Sequence, residues 1–124
     1  MAAYEMITAR RSWYSAEAVA KYAGVQFDAT GKLEKADGTG PFAGVVEYGC
    51  DEAGQIATVV YGDYPVVASG NVTVGAKITI DGSAAGKFKV ATGTGTAVYG
   101  IALTAAAAGE LFTLSMLPVA TTIA

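Results

Sequence analysis

The chain has 124 residues, 52% hydrophobic and 15% charged, with a formal net charge of −3 at pH 7. That length and apolar content suit one folded domain rather than a disordered chain, and the acidic balance argues against a nucleic-acid partner held by phosphate neutralisation. With no histidine and one cysteine, Cys50, the chain lacks the commonest general base near neutral pH, an intrachain disulfide and the clustered ligands of a zinc site.

Residues 1–18 read as an extended N-terminal arm. The stretch lacks the apolar run of a leader, so none is expected. It carries Arg10, Arg11, Trp13 and Tyr14, residue types that concentrate binding energy at interfaces. These four are the candidate partner-binding residues; the plainer reading is that Trp13 covers one end of the fold. Residues 15–22 allow either one helical turn with a Glu17–Lys21 pair or an entry into the first strand. From residue 25 onward short runs alternate apolar and polar side chains: VQF at 25–27, AKITI at 76–80 and KFKV at 87–90. Turn signals such as DATG at 28–31, DG at 37–38 and 81–82, and GTG at 93–95 separate them. Short strands spaced by Gly-rich turns predict an all-β sandwich or small barrel.

The runs repeat. GKLE at 31–34 returns as GKFK at 86–89, GQIATV at 54–59 as GELFTL at 109–114, FAGVV at 42–46 as VYGIA at 98–102, and VQFD at 25–28 as ITID at 78–81. Two tandem halves, 19–67 and 72–117, are therefore expected within a single β domain over 19–124, closing on a shared core. The repeat also decides how to read TAAAAGE at 104–110. Alanine favours helix, but the first copy has YGCDEAGQ there, with two glycines and too few residues for a stable helix. A turn is predicted.

No catalytic constellation emerges. Serine and threonine have no histidine to activate them, and no nucleophile elbow or SxxK motif occurs. Asp51 and Glu52 beside Cys50 would raise a thiol pKa rather than lower it. Asp28 with Asp37, and Asp51 with Glu52, read as solvated turns because no calcium loop surrounds them. GTGPFAG at 38–44 and GTGTAVYG at 93–100 have the wrong spacing for phosphate loops, and a β run follows each. No enzyme activity, cofactor or metal is expected. From Val90 to the end the only charged side chain is Glu110. That stretch is too polar and Gly-rich for a bilayer span, so no membrane partner is expected, and it suits subunit contact.

GIALTAAAAGE at 100–110, its counterpart from Gly44 to Gln55, and ASGNVTVGAK at 68–77 resemble the small capsid decoration, or cement, proteins of tailed bacteriophages. The likeness spans residues 18–117 and leaves the N-terminal stretch uncovered. It implies a β-barrel-like domain, without catalytic residues, that assembles as a homotrimer on the outer surface of the mature virion capsid. There it would stabilise contacts between major capsid subunits. Two other readings remain open: another virion module, such as a spike or tail component, and a carbohydrate-binding β domain using Tyr48, Tyr61 and Tyr64.

Overall fold

The computed structural model describes residues 5–124. Among these residues there are nine strands and no helix: β1 (Met6–Tyr14), β2 (Gly24–Phe27), β3 (Leu33–Lys35), β4 (Phe42–Tyr48), β5 (Ile56–Val67), β6 (Lys77–Ile80), β7 (Phe88–Val90), β8 (Ala97–Ala102) and β9 (Leu111–Thr122). One antiparallel sheet runs β3-β2-β4-β5-β9-β8-β6-β7, and β1 pairs with β5 off that path. The order reads the same from either end once β2 to β5 are exchanged for β6 to β9. The turn before β7 ties back onto the other end of the sheet: Gly24 N–H donates to Gly86 O at 2.9 Å, and Gly86 N–H to Ala36 O at 2.9 Å. The sheet is therefore curled, in keeping with the expected small barrel or sandwich.

The tandem copies share register, not only pattern. Val25↔Lys35 and Phe27↔Leu33 in the first are matched by Ile78↔Val90 and Ile80↔Phe88 in the second. Val45↔Val60 and Val46↔Val59 are matched by Ile101↔Ser115 and Ala102↔Leu114. Even the isolated bridges agree, Ser15↔Leu33 with Ala68↔Phe88 and Val19↔Cys50 with Val72↔Ala106.

The correspondence continues upstream of residue 19. Tyr14↔Ile56, Trp13↔Ala57 and Ser12↔Thr58 are matched by Val67↔Leu111, Val66↔Phe112 and Pro65↔Thr113. The extended N-terminal segment is thus a sheet strand, and β5 is used twice. Its first part closes one copy and its last part leads the next. Residues 15–22 take the second of the two routes open to them, with bridges at Ser15 and Val19 and a turn at Lys21–Tyr22. Tyr22 has φ 74° where the second copy places Gly75 at φ 84°.

The expectation of one shared core is corrected by the packing. One buried cluster holds Val19, Val25, Leu33, Val46, Ala57 and Val59, with Trp13 and Phe27 against it. The other holds their equivalents Val72, Ile78, Phe88, Ala102, Phe112 and Leu114, joined by Val45 and Val60 from the first copy. Side chains alternate across a strand, so β5 sends Ala57 and Val59 into one core and Tyr64 and Val66 into the other from its opposite face.

The alanine run is a turn, as predicted. Glu110 N–H donates to Ala107 O at 3.0 Å, and the Glu110 carboxylate accepts from Ala107 N–H at 2.7 Å. In the first copy the Gln55 side chain accepts from Asp51 and Glu52 N–H at 2.9 and 3.1 Å. Between copies, Gly44 and Gly100 are constrained alike. A Cβ on Gly44 would lie 2.4 Å from Val60 O, and one on Gly100 2.4 Å from Ser115 O. The partner strand's carbonyl occupies the space a side chain needs, so both copies keep glycine there.

Candidate functional site

Because β1 is extended, its four candidate residues divide between two faces. Arg10 and Tyr14 point one way, Arg11 and Trp13 the other. Arg10 grips Glu47 of β4 with two bonds, Nε to Oε1 at 2.6 Å and an Nη to Oε2 at 3.0 Å. That bond holds the Glu47 carboxyl below its usual range and raises the guanidinium. Glu47 is 8% exposed and Arg10 54%, so this arginine is committed to the fold. Tyr14 lies opposite Ile56, and both are exposed, as is Tyr48 opposite Thr58. Ser12 and Thr58 hydroxyls meet at 3.1 Å between them.

On the other face Trp13 is half-buried and packs edge-on against Phe27, with ring centroids 4.7 Å apart. It occupies the position that the buried Val66 takes in the second copy and packs against the first core cluster. The Arg11 guanidinium stands 5.5 Å from the indole centroid. Among the described residues no carboxylate forms an ion pair with it. Arg11, Trp13, Phe27, Phe42, Ala43 and Tyr61 wall a recess of about 330 Å³. The Tyr61 hydroxyl donates to Leu117 O, which anchors the recess against β9.

The three tyrosines considered as a carbohydrate face do not form one. Tyr48 is exposed, Tyr61 is half-buried, and Tyr64 is 1% exposed within the second core. The Tyr64 hydroxyl is buried with no hydrogen-bond partner, and burial pushes its pKa up to about 12. A second depression of about 450 Å³ is lined by Lys21, Lys35 and Lys87 with Cys50 and Asp51. The Cys50 thiol there donates to Glu17 O at 3.5 Å.

The acidic turns are structural. Asp28 accepts from Thr30 Oγ1 at 2.7 Å and from the N–H groups of Thr30 and Lys32. Asp37 accepts from Thr39 Oγ1 at 2.6 Å and from the buried Gln26 amide at 2.9 Å. These hydroxyl bonds, first among the causes, hold both carboxyls below the usual range, and the Ser69 hydroxyl does the same for Asp81. The GTG loop at 38–40 folds around Gln26, whose carbonyl accepts from Asp37 and Gly38 N–H at 3.2 Å each. Among the described residues no three His, Cys, Asp or Glu side chains gather as metal ligands do. Sequence reasoning located Arg11 and Trp13 but missed the recess. Phe27, Ala43 and Tyr61 reach it only through long-range pairing.

No protein-family model and no curated protein matches the sequence. The fold is similar to that in a crystal structure of the N base of head fiber gp8.5 from bacteriophage phi29. The TM-score is 0.69 and the identity 19%, covering 88% of this chain and 93% of that one. The two chains share one architecture over nearly all of both.

Proposed function

We propose that this chain is a non-enzymatic structural protein of a bacteriophage head, which binds the outer surface of the mature capsid as a homotrimer and stabilises contacts between major capsid subunits. The shared architecture with a phage head-fiber base is the observation that carries the head assignment. The decoration role draws on the GIALTAAAAGE resemblance and on the nearly uncharged stretch after Val90. Its mechanism is mechanical. A trimer touching several capsid subunits must lose all its contacts together, and linked contacts act at high effective concentration, so each can be modest. Selective binding to the mature lattice stabilises that lattice by linkage.

Sedimentation of the purified chain alone, then with undecorated heads of the parent phage, tests this reading. A trimer that saturates the heads at a fixed stoichiometry is expected. A monomer that stays in the supernatant overturns it. A second reading, a base that carries a fiber on the head, has the same fold likeness behind it.

A further inference from the structure

The two copies treat one equivalent recess differently. Arg11, opposite Val59, corresponds to Tyr64, opposite Leu114. Ala43, which precedes Gly44, corresponds to Tyr99, which precedes Gly100. In the second copy Tyr64 is fully buried in the core, and Tyr99 packs against that core cluster, its ring centroid 5.2 Å from that of Phe42. In the first copy those two rings are replaced by an arginine folded over Trp13 and by a methyl group. The recess of about 330 Å³ is the space they leave.

We propose that this recess takes an aromatic side chain from a partner polypeptide, with Arg11 pairing to a carboxylate one residue away. The second copy supplies the argument for an aromatic ring, since both equivalent positions there carry tyrosines packed in or against the core. Charge supplies the argument for the carboxylate, because Arg11 has no acidic partner among the described residues. Carbohydrate is disfavoured by the walls. One Trp13 face carries Arg11 and its edge meets Phe27. The Thr8 and Tyr61 hydroxyls on the rim are already engaged, with Tyr61 O and Leu117 O respectively. A sugar site needs several convergent polar groups, whereas this one offers a single free guanidinium.

The proposal deepens the head-binding reading by naming the chemistry of the contact, and free peptides test it separately. The intact chain is titrated, with NMR detection at the Trp13 indole N–H and Ala43 methyl, using Ac-Ala-Tyr-Asp-Ala-NH2, its Asn analogue and Ac-Ala-Ala-Asp-Ala-NH2. Millimolar binding of the Tyr-Asp peptide is expected, with a preference of about 3-fold over Tyr-Asn, the scale of an exposed ion pair, and none for Ala-Asp. Arg11→Gln removes the preference. Ala43→Tyr, which copies Tyr99, blocks binding while its melting temperature reports that the fold is kept. Absence of binding by either tyrosine peptide, equal binding by all three, unchanged binding to Ala43→Tyr, or tighter binding of glucuronate at the same signals overturns the proposal. Peptide binding by a chain that ignores heads counts only against the capsid reading. Head binding without peptide binding counts only against this one.

Discussion

At the scale of single residues, backbone crowding and buried polarity make the firmest predictions. Gly100 sits where the Ser115 carbonyl leaves no room for a Cβ, so Gly100→Ala forces the β8–β9 pair apart. Urea unfolding should show a loss of about 2 kcal/mol or more, and a loss below about 0.5 kcal/mol contradicts the register described. Tyr64 makes the opposite case. Its hydroxyl is buried without a partner, and such a group costs about 1–3 kcal/mol. Tyr64→Phe should therefore leave stability unchanged or raise it by about 1 kcal/mol. The sign of its pH effect follows from linkage. Burial raises the folded pKa to about 12, above about 10 for a free phenol. Its contribution is complete below about pH 10 and is lost as pH rises toward about 12. In Tyr64→Phe the alkaline fall in stability should be shallower over that window, as read by chemical denaturation at stepped pH.

At the scale of elements, β1 decides how the N-terminal segment behaves. It pairs along β5 from Met6 to Tyr14 and places Trp13 in a core position. Deleting residues 1–14 should therefore lower the melting temperature and expose the amides of β2 to β4 to hydrogen exchange, rather than trim a free arm. Unchanged exchange in those strands would contradict the assignment. Much of this level was legible beforehand. Gly-rich turns marked the strand ends, and the GQ and GE pairs showed that the alanine run turns. The strand character of β1 was not legible. MITARRSWY has polar side chains on both faces, and its match to VVYGDYPVV in β5 lies in hydrogen-bond register rather than residue identity. The end of β9 was hidden for a related reason. The register jumps between Val98↔Thr121 and Gly100↔Met116, so Leu117 to Ala120 bulge outward around Pro118, where a strand tolerates proline. The recess inherits both gaps, since its walls come from β1, β2, β4, β5 and that bulge.

At the scale of the whole molecule, a twice-used curled unit yields two cores within one sheet, and every carboxyl with a resolved shift serves the fold. Glu47, Asp28, Asp37 and Asp81 all lie below their ordinary values because hydroxyls or Arg10 bond their charged forms. Lowered folded pKa values give stability that is present above the unfolded values and lost as pH falls through the folded ones. The protein should hold its melting temperature from neutrality down to about pH 4.5 and lose it steadily below; a flat profile down to pH 2 would contradict the assignments. The same build leaves surfaces for contact, with Tyr14, Ile56 and Tyr48 exposed on one face of β1, β5 and β4 and the Arg11 recess on the other. The most direct measurement is a cryo-electron microscopy reconstruction of undecorated mature heads incubated with saturating protein. Repeating outer-surface density is expected at junctions between capsid subunits, in which three copies of this fold can be placed. A bare lattice at saturation, or density confined to the tail, contradicts it.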